Sequence, residues 1–184
     1  MKKKTVLNIL LIAFVVSFFV TPLGHYGKVW LNRIFAATPT VIEVSQRKQI
    51  KDYDWKLKDD KWNFFNFEKS KGNVIFINQW ASWQMPCEAE LRSIQKLYDT
   101  YKGKVDFYII TNEERPPVEK FIEEKKFTFP VTYLIIGEKM PINSAIVPSS
   151  YLIGKNGDIV IYEETIANWG NSKVDEAIKK LLNE

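Results

Sequence analysis

The stretch Gln79-Trp80-Ala81-Ser82-Trp83-Gln84-Met85-Pro86-Cys87-Glu88-Ala89-Glu90 holds the residues best suited to chemistry: the only cysteine in 184 residues, flanked by carboxylates, a proline and two tryptophans. The apolar run Val74-Ile75-Phe76-Ile77 precedes it and a helical pattern follows. A strand ending in an aromatic-lined turn that feeds a helix leaves backbone N–H groups unpaired, and the helix dipole there favours anions. One cysteine makes no intramolecular disulfide, and one histidine gives no metal cluster. His25 lies beside a hydrophobic segment and far in sequence from Cys87, so a Cys–His nucleophilic pair is the lesser reading.

The elements that must position this stretch can be read outward from it. From Met85 the pattern is helical, with Cys87, Leu91, Ile94, Tyr98 and Tyr101 at intervals of four, three, four and three. Pro86 fits only because it falls in the first turn, and Gly103 ends the helix. The run 73–79 is continuously apolar enough to be a strand buried on both faces, and 105–111 is the next such strand. Ahead of them, Asp54-Trp55-Lys56-Leu57-Lys58 alternates with period two, Asp59-Asp60-Lys61 turns, and residues 62–67 form a second aromatic run, together a β-hairpin. After them, Pro116-Pro117 starts a helix with Val118, Phe121 and Ile122 inward. Residues 129–136 suggest a short strand and 137–143 a loop. Residues 145–150, Ala145-Ile146-Val147-Pro148-Ser149-Ser150, lead into Tyr151-Leu152-Ile153, and the turn Gly154-Lys155-Asn156-Gly157 feeds residues 158–162 as a second hairpin. Ser172, with Asp175 three residues on, caps a closing helix whose inner face is Val174, Ala177, Ile178, Leu181 and Leu182. Parallel strands joined by helices, then an antiparallel edge, predict a three-layer α/β sheet.

The N-terminus reads as delivery. Lys2, Lys3 and Lys4 precede residues 6–20, almost free of polar side chains, and Thr21-Pro22-Leu23-Gly24 closes the run. Counted to Gly24 this is 19 residues, about 28 Å as a helix and enough for a bilayer core. The basic flank places the N-terminus in the cytoplasm and the rest outside it. The reading is an uncleaved single-pass anchor over residues 1–24, with a cleaved signal peptide and release to the periplasm as the rival. Residues 25–40 form a juxtamembrane linker in which Tyr26, Val29, Trp30, Leu31, Ile34 and Phe35 alternate with Lys28 and Arg33, as in an interfacial helix or a linker packed on the domain. Residues 41–184 then form one domain. With 46% apolar and 14% aromatic residues, it can build a core, and a net charge of +4 with mixed signs along the chain excludes a nucleic-acid footprint.

At residues 74–78, at Trp80-Ala81-Ser82-Trp83-Gln84-Met85-Pro86-Cys87-Glu88-Ala89-Glu90, at Val147-Pro148-Ser149 and at Gly154-Lys155-Asn156-Gly157, the chain resembles the thioredoxin superfamily. Within it, the chain is similar to the membrane-anchored thiol–disulfide oxidoreductases of the TlpA and ResA type. The resemblance covers residues 50–184 and implies a thioredoxin fold with an N-terminal β-hairpin extension, no cofactor, and partners that are protein thiols or disulfides, an extended peptide, or a membrane redox protein. It implies that Gln84 stands at the attacking-cysteine position of a Trp-Cys-x-Pro-Cys motif and that Cys87 is the resolving cysteine. It implies a cis Val147-Pro148 bond facing the motif, a substrate groove of Trp83, Met85, Pro86, Val147 and Pro148, and a Glu90 that moves protons for the buried thiol. Asn78 is usual for the subfamily where many thioredoxins bury a carboxylate.

Physics bears on the Gln84 departure. Dithiol exchange needs an attacking thiolate and a second thiol, and glutamine is no nucleophile. For Cys87 alone the helix dipole contributes ~0.3–1 kcal/mol, less than one pKa unit, so from about 8.5 the thiol stays mostly protonated. Burial and Glu90 push its pKa the other way. The expected function is therefore binding of protein substrates or a redox partner with impaired dithiol exchange. The alternative is a working reductase that forms single mixed disulfides through Cys87, in cell redox homeostasis or cytochrome maturation. The Pro-x-x-x-Thr-x-x-Cys signature of a peroxiredoxin is absent around Cys87.

Overall fold

The structure is a computed structural model that describes residues 3–138, 140–142 and 146–184. The loop expected over 137–143, the approach through Ala145, and Lys2 of the basic flank lie partly or wholly outside them.

Helix α1 (Lys3–Val20) has 18 residues, none of them buried, and is long and apolar enough to cross a membrane. The apolar run does not reach Gly24 as one helix. Thr21 interrupts it in extended conformation, its Oγ1 accepts the Gly24 N–H, and α2 (Pro22–Ile34) begins with a proline in its first turn. Gly24 makes this elbow possible, because a Cβ there would overlap the Phe18 carbonyl.

The domain follows as β1 (Lys56–Lys58), β2 (Phe64–Asn66), β3 (Ile75–Gln79), α3 (Met85–Tyr101), β4 (Asp106–Thr111), α4 (Arg115–Lys125), β5 (Val131–Leu134), β6 (Ser149–Ile153), β7 (Ile159–Glu163) and α5 (Ser172–Asn183). One seven-stranded mixed sheet has the order β2-β1-β5-β4-β3-β6-β7. β3, β4 and β5 are mutually parallel, and the flanking pairs are antiparallel. The expected N-terminal hairpin is β1–β2, pinned by Asp59, whose Oδ1 accepts the N–H groups of Lys61 and Asn63 at 2.9 and 2.8 Å. The turn before β7 is closed by a Gly157 N–H to Gly154 carbonyl bond, with Gly157 at φ 85°.

Both faces of the sheet are covered, but not in the same way. α3, α4 and α5 send Leu91, Ile94, Val118, Phe121, Val174 and Ile178 into one core with Phe76 and Ile109. The chain steps from β3 to β4 to β5 in one direction, and right-handed crossovers then put both connecting helices on the same side. Among the described residues, no α-helix covers the other face. Ile50, Tyr53, Trp55 and Phe67, the last from the 3-10 turn Phe67–Ser70, pack there on Leu57, Ile75, Ile77, Tyr108 and Ile110. Residues 37–50 run along the β7 edge, where the Ala37 N–H meets the Ile166 carbonyl, the Ile42 N–H that of Val160, and the Ile50 N–H that of Gly157, at 2.8, 2.8 and 2.9 Å. This segment is tied to the domain and shields an edge that would otherwise be open.

One cap differs from expectation. Asn171, not Ser172, caps α5, its side-chain oxygen accepting the Val174 N–H at 3.1 Å. Asp175 is drawn away to the Tyr101 hydroxyl and the Lys179 ammonium.

Candidate functional site

β3 delivers the motif to the end of the sheet. Gln79 pairs with Ile110 of β4 and with Ser149 of β6, and the Trp80 N–H still bonds the Ile110 carbonyl at 2.9 Å before the chain turns. The same register sets Val147 and Pro148, which directly precede Ser149, beside this end of β3, and the Val147–Pro148 peptide bond is cis. Val147 packs on the cluster that contains Trp80 and Cys87. The strand ends thus bring the two separate pieces of the expected groove to one place.

The two tryptophans part company. Trp80 is buried against Phe121, ring centroids 5.4 Å apart, whereas Trp83 is 74% exposed at the tip of the turn. Met85 and Pro86 are half-buried in the first turn of α3. Gln84 is the N-cap residue, in extended conformation, but its side chain makes no capping bond. Its Oε1 instead lies 3.8 Å from Cys87 Sγ.

Cys87 is fully buried. Burial pushes its thiol up from 9.0 to about 12; a backbone hydrogen bond at Ala81 opposes the shift, and the Glu90 and Glu113 carboxylates add to it. Glu90, one turn on, is also buried, and burial raises its carboxyl from 4.5 to about 7, against the hydrogen bonds that lower it. Trp169 Nε1 donates to Oε1 at 2.7 Å, Ser150 Oγ to Oε1 at 3.2 Å and Asn78 Nδ2 to Oε2 at 3.3 Å. Asn78 Nδ2 also donates to Ser150 Oγ at 2.9 Å. Glu90 thus sits in a buried polar network with Trp169, Ser150 and Asn78, its carboxyl raised toward neutral pH by burial.

Several groups around the site were not singled out by sequence reasoning. Glu113, just past β4, accepts the Ser82 N–H at 2.5 Å and the Ser82 hydroxyl at 2.7 Å, holding the turn before α3. Its signal was its place at the carboxyl end of a buried parallel strand. Ser150 and Trp169 could be suspected only from their buried partners. Glu88 is buried beside Cys87 and pairs with His25 Nε2 at 2.8 Å and Lys125 Nζ at 2.6 Å. His25 thus approaches the motif helix after all, but at Glu88 rather than at the thiol. Among the described residues no group of three or more His, Cys, Asp or Glu could hold a metal ion.

The fold and the strand-end site define a thioredoxin-fold protein. A secreted thiol–disulfide isomerase from Corynebacterium glutamicum superposes with a TM-score of 0.63 at 14% identity, covering 82% of this chain and 95% of its own. StoA from Bacillus subtilis does so at 0.54 and 23%, covering 71% and 96%. The chain belongs to the AhpC/TSA family, whose model matches residues 47–161. It is similar to the thiol–disulfide oxidoreductase ResA of Geobacillus kaustophilus, 32% identical over 111 residues that cover 58% of this chain and 63% of that protein. It is also similar to the sporulation thiol–disulfide oxidoreductase A of Bacillus subtilis, 32% identical over 96 residues, 49% of this chain and 58% of that one. The chain thus spans less than two thirds of the length of these curated relatives.

Proposed function

We propose that this chain is an extracytoplasmic protein of the thiol–disulfide oxidoreductase type that binds protein thiols or disulfides, or an extended segment of a redox partner, without normal dithiol turnover. Helix α1 is its single-pass anchor, residues 1–24 in all, and the domain lies on the far side of the cytoplasmic membrane. The binding groove runs between Trp83, Met85 and Pro86 on one wall and Val147 and Pro148 on the other. Glu90 serves as the proton reservoir under Cys87.

The observation that carries this reading is Gln84 at the N-cap of α3, where an attacking thiolate would stand, its amide oxygen turned to a buried Cys87. The similarity to ResA supports the substrate class. Turnover through Cys87 alone is disfavoured by the raised thiol pKa and by the absence of a second thiol to release the adduct. The test is reduction of insulin disulfides by the full chain in detergent. The wild type is expected to be inactive and Gln84→Cys to restore turnover. Wild-type rates comparable to those of the variant would overturn the proposal, and an inert variant would mean that the site lacks more than one sulfur.

A further inference from the structure

Helix α2 has two unlike faces. His25, Val29 and Asn32, at positions i, i+4 and i+7, turn toward α3, where Val29 is buried and His25 pairs with Glu88. Tyr26, Trp30 and Ile34, at four-residue spacing, form an outward stripe that is 61%, 60% and 54% exposed, and Phe35 extends it at 81%. A contiguous aromatic and aliphatic stripe of this kind calls for a covering partner. Beside it, between α2, α3 and the loop at 167–168, is a cavity of about 300 Å³. Trp30 and Ile34 form its α2 wall, and Arg33, Arg92 and Lys96 line it with no carboxylate among the lining residues. Arg92 is held in place by a bond from Nη1 to the Lys125 carbonyl and by the Phe127 ring. Among the described residues, neither Arg33 nor Lys96 enters an ion pair.

What covers this face follows from its continuity with α1. One residue, Thr21, separates the two helices, and Lys28 lies over the rings of Phe18 and Phe19 in the last turn of α1, at 5.7 and 4.7 Å. The start of α2 is therefore level with the end of the span, where the hydrocarbon meets the headgroups. Amphipathic helices at that depth place aromatic side chains among the acyl–headgroup boundary and cations among the phosphates.

We infer that α2 lies in the membrane interface and that the Arg33–Arg92–Lys96 cavity is a headgroup site for an anionic phospholipid. The inference rests on the anchor reading of α1. The bilayer then sets the height and tilt of the domain, and the His25–Glu88 contact carries that placement to the first turns of the motif helix.

The test uses the full chain in nanodiscs of phosphatidylcholine with an equal part of phosphatidylglycerol. In a Cys87→Ala background, spin labels are placed at Phe14→Cys, Ile34→Cys and Lys61→Cys, and their access to oxygen and to a water-soluble relaxant is compared. The expected result is Phe14 in hydrocarbon, Ile34 at the interface and Lys61 in water. Phe14 in water would overturn the anchor itself; Phe14 in lipid with Ile34 as wet as Lys61 would overturn only the seat of α2. Native mass spectrometry from the same nanodiscs should retain phosphatidylglycerol in preference to phosphatidylcholine. An Arg33→Ala/Lys96→Ala chain should retain it about fivefold less for each charge removed. Equal retention of the two lipids, no loss in the double variant, or displacement of the lipid by inorganic phosphate would each overturn the headgroup site.

Discussion

The reactivity of Cys87 can be worked from its surroundings. A thiol raised from 9.0 to about 12 carries about a thousandfold less thiolate at neutral pH than an ordinary one. The more basic thiolate is the better nucleophile, and a Brønsted coefficient of ~0.4–0.5 returns about fifteen- to thirtyfold of that loss. The net expectation is alkylation about thirty- to sixtyfold slower than that of an ordinary thiol, before any allowance for the reagent's access to a sulfur with no exposed surface. The assay is intact-mass kinetics with iodoacetamide, comparing the native chain, the chain in concentrated urea and glutathione. The native rate should fall below both references by at least that factor, and its logarithm should climb with unit slope through pH 10 rather than level near 9. Glu90→Gln and Glu113→Gln should each raise the rate, because each removes a carboxylate that disfavours the thiolate. A native rate within about threefold of glutathione, or a plateau near pH 8–9, would refute the reasoning and revive single-cysteine chemistry.

Two further expectations follow from the buried carboxylates. Burial raises Glu90 from 4.5 to about 7, so between those values the folded chain keeps a proton that the unfolded chain has released, and stability falls as pH rises. The decline amounts to about 3 kcal/mol and is complete above the folded-state value, so urea midpoints at pH 4.5 and 7.5 should converge in Glu90→Gln; parallel declines in the two proteins would count against a proton held at Glu90. Glu113→Ala strips the acceptor from both the Ser82 N–H and hydroxyl, so amide exchange at Ser82 should quicken about tenfold, and unchanged exchange would mean that the turn is held by other contacts.

The parts of the fold that were legible are those written in local periodicity. The apolar run into β3, the alternation of the β1–β2 hairpin, the Asn156-Gly157 turn and the proline-initiated helices α3 and α4 each depend on near neighbours in sequence. What was not legible depends on partners far along the chain. Nothing local says that β5 enters the sheet between β1 and β4, or that Tyr53, Trp55 and Phe67 cover its second face. The α5 cap moved by one residue because Asn171 and Ser172 are nearly equal capping residues, and tertiary contacts from Tyr101 settled the fate of Asp175. At the site, the motif residues could be named from the linear pattern, but Ser150, Trp169 and Glu113 complete it from three other elements. His25 was weighed only against Cys87; its partner is the next residue, and only the fold of α2 reveals it.

In the proposed function, binding and turnover separate because different side chains would carry them. Turnover would need a thiolate at the N-cap of α3, and Gln84 there neither attacks nor caps. Binding would need only an accessible wall, and Trp83 is exposed there where its neighbour Trp80 is buried. A tryptophan left largely in water at the tip of a turn gains nothing for the fold, whereas indoles in that setting are common anchors of protein interfaces. The turn that presents it is nonetheless fixed, through Ser82, by two hydrogen bonds to Glu113, so its geometry does not depend on an active dithiol. On the proposed function, an aromatic strand-end groove over a buried thiol with a raised pKa would hold an extended chain without exchanging electrons with it. On that proposal, Gln84→Cys and a substitution that removes the indole at Trp83 act on independent properties: the first on turnover, the second on binding.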